Sequence, residues 1–346
     1  MQSAKTAITF KPKQVIKRLL SVLGDRSQDV ITSRFGLGND TKRMTLEAIG
    51  KKYKITRERV RQIENYSIIN IRKSKEYAKE KAVFDELRKI VADLGSTVSE
   101  DELLKHISKD KATQNQIHFL LVVGEDFTKE KEDLEFKHRW SIDKELSKKI
   151  HASLRQLYST LSDDEILLES DMVEKFLTHV KDVSEKYKNE EIAKRWLTLS
   201  KLIDKNPLGE WGKTGSSNIN AKGMRDYAYL VIRRHGSPIH FREVAKLITE
   251  LFKKKAHVAT THNELIKDPR FVLVGRGLYA LSEWGYMSGV VKDVIKGIIE
   301  KNGPLTKEEI ISKVLKERYV KENTIMVNLQ NPKYFKKSKD GKYSIA

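Results

Sequence analysis

The stretch TLEAIGKKYKITRERVRQIE, residues 45–64, decides the fold of the N-terminal part of the chain. Leu46, Ile49 and Tyr53 recur at helical spacing, and the residues that follow them interrupt this pattern. Thr56 is well suited to begin a second helix, because its hydroxyl can accept a hydrogen bond from a backbone N–H of the first turn. Two short helices joined by a turn predict a helix-turn-helix.

The second predicted helix carries two stripes of different chemistry. The packing stripe recurs every three to four residues and consists of Val60, Ile63, Ser67 and Ile71. The polar stripe consists of Arg57, Glu58, Arg61, Gln62 and Asn65. The first turn of such a helix reaches base edges in the major groove, where arginine pairs with guanine, glutamine with adenine and a carboxylate with cytosine. We therefore predict that the polar stripe binds DNA, together with Arg59 and with Thr45 at the start of the stretch.

The same stretch closely resembles region 4.2 of bacterial primary sigma factors, and GDRSQDVITSRFGLG (24–38) resembles region 4.1. The resemblance covers residues 11–75, the first predicted domain. It implies a reader of the promoter −35 element that docks on the β-subunit flap of bacterial RNA polymerase, so double-stranded DNA and the polymerase are the expected partners. By position, it assigns base and backbone contacts to Arg57, Glu58, Arg61 and Gln62.

The chain also departs from the sigma factor pattern. Tyr66 and Ile69 stand where the family usually has basic residues, so we expect fewer phosphate contacts and additional packing of this helix. Sigma region 2, which binds the polymerase clamp and melts the −10 element, has no counterpart among the other segments. A complete sigma factor is therefore not expected.

The C-terminal part of the chain contains an internal repeat. The matched segments are VIRRHGSPIHFREVAKLI (231–248) with IIEKNGPLTKEEIISKVL (298–315), and HNELIKDPRFVLVGRGLYAL (262–281) with MVNLQNPKYFKKSKDGKYSI (326–345). The pairs at a constant separation of 64 residues are Leu265/Leu329, Phe271/Phe335, Gly277/Gly341 and Tyr279/Tyr343. Three helices followed by a β-hairpin predict two winged-helix domains, at 222–284 and 289–346.

The first copy of the repeat also resembles a known family. SPIHFREVAKLI and RFVLVGRGLYAL are similar to the HARE-HTH domain, the winged helix of the delta subunit of bacterial RNA polymerase. This resemblance implies binding to nucleic acid or to polymerase, and not catalysis. Wings can lie along the phosphate backbone or enter a minor groove. Arg276 at one hairpin tip, and Lys337 and Lys339 in the other hairpin, are therefore predicted DNA contacts.

Charge separates two basic ends from an acidic middle, within a net charge of +19. Residues 1–75 contain 18 Lys+Arg and 6 Asp+Glu, residues 76–206 contain 23 and 28, and residues 207–346 contain 26 and 14. Basic surfaces attract phosphates, so the two ends are the expected DNA-binding parts. The middle is predicted to be mostly helical, with 81–143 compatible with a further winged-helix unit, and to serve as a spacer or a protein-facing surface.

Composition excludes several kinds of site. The 346 residues include no cysteine, which excludes disulfides, cysteine-ligated zinc and thiol catalysis. The absence of a run of about 18 apolar residues and of a signal-peptide pattern predicts a cytoplasmic protein with no membrane partner, and the expected DNA binding makes it nucleoid-associated. Histidine spacing indicates no metal site, and GKTGSS lacks the phosphate-loop frame, so no metal, cofactor or catalytic residue is expected.

These observations predict a mainly α fold, a multidomain array of helix-turn-helix and winged-helix units with short β-hairpin wings. Three classes of function remain open. The first is a non-enzymatic DNA-binding transcription factor that reads a −35-like element or docks on polymerase. The second is a polymerase accessory subunit that acts by protein contacts, as a delta-like subunit would. The third is the DNA-specificity subunit of a nuclease system, for which Asp126, Glu135 and Lys137 form a nuclease-like grouping.

Overall fold

The computed structural model describes residues 8–181, 183–287 and 289–346. In this part the chain is mainly helical, with 17 α-helices and small antiparallel strand pairs, which confirms the predicted fold class. None of these helices combines the length and apolar character needed to cross a bilayer. The chain divides into two compact units, Met1–Asp204 and Lys205–Ala346.

The first unit consists of helices with one small sheet. It begins with α1 (Pro12–Leu20), α2 (Asp25–Phe35), α3 (Leu46–Tyr53), α4 (Arg57–Lys73) and α5 (Lys75–Lys79). It continues with α6 (Lys81–Asp93), β1 (Thr97–Ser99), α7 (Glu100–Ile107), α8 (Lys111–Val123), β2 (Thr128–Glu130) and β3 (Arg139–Ser141). It ends with α9 (Lys144–Thr160), α10 (Glu169–His179) and α11 (Glu190–Leu197). β3 lies between β1 and β2 and pairs antiparallel with both strands.

Side-chain caps begin both helices of the predicted helix-turn-helix. Thr45 Oγ1 accepts a hydrogen bond from the backbone N–H of Ala48, and Thr56 Oγ1 accepts one from the N–H of Arg59, both at 3.1 Å. Each bond satisfies a first-turn donor that has no partner inside its own helix. The sequence therefore fixes where α3 and α4 begin.

The turn between α3 and α4 depends on a close approach of two backbone segments. The N–H of Ile55 donates to the carbonyl oxygen of Gly50 at 3.0 Å. A Cβ atom on Gly50 would lie only 2.7 Å from the carbonyl oxygen of Ile55. Lys54 makes the reversal in the left-handed region, with φ 53°. Glycine is thus required at position 50 for steric reasons.

A small apolar cluster holds the helix-turn-helix together. Val30 of α2, Ile49 of α3 and Val60 of α4 are fully buried in this cluster. Ile63 packs against them but is only half-buried. The packing stripe predicted on α4 therefore exists, with Val60 as its best buried member in this cluster.

A larger core joins the N-terminal helices to the residues that follow them. Ile31 of α2, Ile71 of α4 and Phe119 of α8 are buried in this core. At its edge, the Arg72 guanidinium donates to the carbonyl oxygen of Val123 at 2.9 Å. The first compact unit therefore has no boundary at residue 75, because α1, α2 and α4 share their interior with α8.

The second unit contains two similar successions of elements. The two successions are preceded in the chain by β4 (Ile203–Lys205), at the boundary between the units, and by β5 (Trp211–Lys213). The first succession is α12 (Met224–His235), β6 (Ile239–His240), α13 (Phe241–Phe252), α14 (Val258–Lys267), β7 (Phe271–Leu273) and β8 (Leu278–Leu281). The second is α15 (Val291–Asn302), α16 (Lys307–Glu317), α17 (Glu322–Leu329), β9 (Phe335–Lys337) and β10 (Tyr343–Ile345).

Residues matched in the repeat occupy corresponding elements of the two successions. Phe271 and Phe335 each begin the first strand of a hairpin, and Tyr279 and Tyr343 lie in the second strand. All four side chains are buried. In the first succession β8 also pairs with β6, which makes a three-stranded sheet in the order β6–β8–β7.

Candidate nucleic-acid interface

The polar stripe predicted on α4 is exposed and lies opposite the packing stripe. Val60 and Ser67 are fully buried. The exposed members are Arg57, Glu58, Arg59, Arg61, Gln62 and Asn65. At about 100° per residue, Glu58 and Asn65 lie on the side of the helix that faces away from Val60. α4 therefore packs on one face and presents hydrogen-bonding side chains on the other, as insertion into a groove requires.

Four of the exposed side chains of α4 are paired with one another. The Glu58 carboxylate accepts hydrogen bonds from Nε and Nη2 of Arg61 at 2.9 and 2.6 Å, and Nη1 of Arg59 donates to Oε1 of Gln62 at 3.1 Å. The bond from Arg61 holds the pKa of the Glu58 carboxyl below its usual value and raises that of Arg61. Exposed pairs of this kind are easily broken. They therefore orient Arg61 and Gln62 but leave both side chains able to exchange these hydrogen bonds for others.

The remaining predicted contacts lie apart from α4. Thr45 is exposed and caps α3. Arg276 is exposed in the turn between β7 and β8. Lys337 is exposed at the end of β9, and Lys339 is exposed in the turn before β10. The structure thus brings six predicted contacts together on one helix and places three in two hairpins of the other unit.

Apolar side chains extend the exposed surface of α4 beyond the polar stripe. Tyr66 is 64% exposed and Ile69 is 46% exposed. Ile69 lies one turn beyond Asn65 on the same face of the helix. The helix does pack on a further element, α8, although Tyr66 and Ile69 remain exposed. Ile71, on the opposite side of α4, packs against α8, and the Arg72 guanidinium adds the hydrogen bond to Val123.

Residues 19–73 match the family described as Sigma-70, region 4. This segment is similar to sigma-70 region 4. Over 60 residues the chain is 48% identical to RNA polymerase sigma factor RpoD of Helicobacter pylori strain 26695, covering 17% of this chain and 9% of that protein. It is 42% identical over 60 residues to RNA polymerase sigma factor SigA of Lactococcus lactis subsp. cremoris, covering 17% and 16%. The chain thus spans less than a fifth of the length of these relatives.

The matched segment, which we call the region 4-like segment (residues 19–73), contains the whole candidate surface on α4. Its first residue lies near the end of α1, and its last residue is the last residue of α4. The similarity therefore includes both helices of the helix-turn-helix and the polar stripe. It does not extend to α8, which completes the core beneath these helices.

Outside the region 4-like segment, the nuclease-like grouping does not form a metal site. Glu135 accepts hydrogen bonds from the Arg155 guanidinium, with 2.7 Å between Nη2 and Oε2. Asp126 lies in the turn after α8. In the described part of the chain, no three His, Asp or Glu side chains are arranged to hold a metal ion.

A buried charged cluster lies in the middle of the first unit. Arg139 is 5% exposed, and its Nη2 lies 2.9 Å from Oε2 of Glu130. Its Nε donates to Nε2 of His151 at 2.8 Å, so that nitrogen must be unprotonated. Burial and the neighbouring guanidinium lower the pKa of His151 from its ordinary value of 6.5 to about 4, while Glu130 and Asp133 act in the opposite direction. We therefore expect this cluster to make the stability of the first unit depend on pH.

Proposed function

We propose that the chain is a non-enzymatic DNA-binding transcription factor whose helix α4 reads a −35-like promoter element. The observation that carries this proposal is the exposed polar stripe of α4 inside a segment that matches sigma-70 region 4. Arginine, glutamine and glutamate provide the hydrogen bonds that distinguish base pairs in the major groove. The buried residues beneath them hold the helix as a rigid support.

The two repeated successions, at 222–284 and 289–346, are proposed to be winged helices, the first of the HARE-HTH kind. The order of their elements and the exposed Arg276, Lys337 and Lys339 support this assignment. Cationic wings would contact DNA phosphates, which adds affinity without sequence preference. The basic composition of residues 207–346 agrees with this role.

RNA polymerase is the second proposed partner, with the flap of its β subunit as the expected docking point. The apolar sides of α1 and α2 are not available for it, because Leu19 and Ile31 are fully buried in the core shared with α8. Tyr66 and Ile69 remain exposed beside the polar stripe, and we assign a protein-binding role to them. These side chains also favour the second candidate function, a polymerase accessory subunit that acts mainly by protein contacts.

A salt titration of DNA binding tests the proposed function. Fluorescence anisotropy would follow binding of the full chain to a duplex that carries a −35-like element. For DNA contacts, the logarithm of the affinity should fall against the logarithm of salt concentration with a slope of about −0.9 per phosphate contacted. Arg61→Ala should weaken binding to this duplex, whereas Lys89→Ala, an exposed cation on α6, should not. A salt-independent affinity, or equal losses in both variants, would contradict the proposal.

A pull-down from the native cell, with and without nuclease, separates the two candidates. Polymerase that remains bound after nuclease treatment is docked directly, and polymerase that is lost is bridged by DNA. Direct docking should weaken in Ile69→Ser and persist in Arg61→Ala. Loss in Arg61→Ala with retention in Ile69→Ser would assign the contact to DNA.

A further inference from the structure

A cleft of about 820 Å³ opens in the second unit where the two repeated successions meet. Its walls are the β7–β8 turn, Gly289 and Val290 before α15, and residues 318–321 after α16. The two sides are joined by backbone, because the N–H of Tyr319 donates to the carbonyl oxygen of Val274 at 2.7 Å. The volume falls in the range of about 300–1,000 Å³ that is typical of small-molecule sites.

One wall of this cleft contains a buried guanidinium with unused donors. Arg318 is 3% exposed, and its Nη2 donates to the carbonyl oxygens of Met287 and Gly289 at 2.6 and 2.7 Å. Among the residues that the structure describes, none accepts a hydrogen bond from its Nε or Nη1. Burial lowers the pKa of Arg318, although the carboxylates of Glu317 and Asp293 act in the opposite direction. A buried charge with unsatisfied donors is costly, which indicates that an acceptor from outside belongs there.

The rim of the cleft combines positive charge with exposed apolar surface. Arg276 and Lys321 are exposed on it, and no described residue that lines the cleft is acidic. Leu273, Val290 and Tyr319 are 48%, 60% and 56% exposed. Apolar side chains left open to water around a concave surface are typical of binding sites. The charge and the apolar surface fit one ligand that has an acidic group and an apolar body.

We propose that this cleft binds a small organic anion, with a flat apolar body and one carboxylate or phosphate group. The acidic group accepts charge-assisted hydrogen bonds from Arg318, and Arg276 and Lys321 attract it to the rim. The apolar body is covered by Tyr319 and Val290. Nε and Nη1 of Arg318 have no contact with solvent, so the proposal requires that side chains at the rim change rotamer when the ligand binds. The proposal is independent of the function proposed for α4.

Isothermal titration calorimetry of the full chain tests the site with phenyl phosphate and benzoate as probes. Two compounds serve as controls: inorganic phosphate has only the acidic group of the proposed ligand, and benzyl alcohol has only the apolar body. At least one of the two probes should bind saturably at one site, at least tenfold more tightly than inorganic phosphate or benzyl alcohol. Absence of saturable binding by both probes would overturn the proposal. Equal binding of inorganic phosphate would also overturn it, since the site would then hold an adventitious ion only.

Matched variants locate the binding. Exchange of both rim cations, Arg276→Gln with Lys321→Gln, should weaken the probe at least tenfold, because both side chains are exposed and the fold should not change. The control pair Arg242→Gln with Lys246→Gln removes the same charge from exposed positions of α13 and should leave binding unchanged. Arg318→Met should abolish binding, with circular dichroism to verify its fold. Equal effects of the two pairs would overturn the proposal, and so would a folded Arg318→Met that still binds.

Discussion

Replacing Gly50 with alanine should destabilise the turn between α3 and α4, although alanine is the better helix former. Propensity alone favours alanine by about 1 kcal/mol in a helix. The added Cβ would lie 2.7 Å from the carbonyl oxygen of Ile55, which is backbone and cannot rotate away. Overpacking of this kind costs about 1–3 kcal/mol. The steric cost exceeds the propensity gain, so we expect a net loss of about 1 kcal/mol.

Hydrogen exchange of the full chain, measured by mass spectrometry, is the assay for this substitution. A loss of about 1 kcal/mol should speed exchange of peptides from residues 46–73 about fivefold, since about 1.4 kcal/mol corresponds to a factor of ten. DNA affinity should fall as well, because the turn sets the position of α4. Gly38→Ala is the control, since its Cβ would meet only a methyl of Thr32 at 3.4 Å. Slower exchange in Gly50→Ala would refute the reasoning, because propensity would then outweigh the contact.

Three further predictions concern stability, pH and the wings. Val60→Ala should lower the free energy of unfolding, measured in urea, by about 2 kcal/mol. Because Ile63 is only half-buried, Ile63→Ala should cost less than the same substitution at a fully buried isoleucine, and a larger cost would contradict the burial pattern. Between pH 6.5 and about 4 the unfolded chain holds a proton on His151 that the folded chain lacks, so stability should fall as the pH falls. His151→Gln should flatten this dependence in urea titrations, whereas the half-exposed His138→Gln should preserve it. Arg276→Ala should weaken DNA binding measured by anisotropy at low salt without changing the preferred sequence, and an unchanged affinity would exclude this wing as a contact.

Local features of α3 and α4 were predictable because their causes are local. Thr56 caps α4 as its hydroxyl and position suggest, and the three-to-four-residue spacing correctly separated Val60 from the polar stripe. The pairing of Glu58 with Arg61 could also be predicted from the sequence, because these residues stand three positions apart on a helix. Spacing reports which face a residue occupies, so it could not show that Ile63 is only half-buried.

Contacts between distant segments were not predictable from periodicity. Ile71 and Phe119 share one core although they are 48 positions apart. The spacing of apolar residues within each helix does not indicate which other helix it packs against. For the same reason, charge composition separated residues 1–75 from the acidic middle, whereas packing unites them. Arg318 is a similar case, because its sequence context resembles any basic helix end and only the fold shows that it is buried.

Selection of preferred sites from random duplex oligonucleotides, with the full chain and with Gln62→Ala and Arg61→Ala, tests most directly whether α4 reads bases. Each variant should lose about 1–3 kcal/mol of discrimination at one base pair, the usual value of a bidentate base contact. Val60→Ala is the control, because loss of the supporting core should weaken binding to every sequence alike. Relaxed preference at one position in each α4 variant is the result that the account predicts. Identical preferred sites from the wild type and both variants would show that this helix reads no bases.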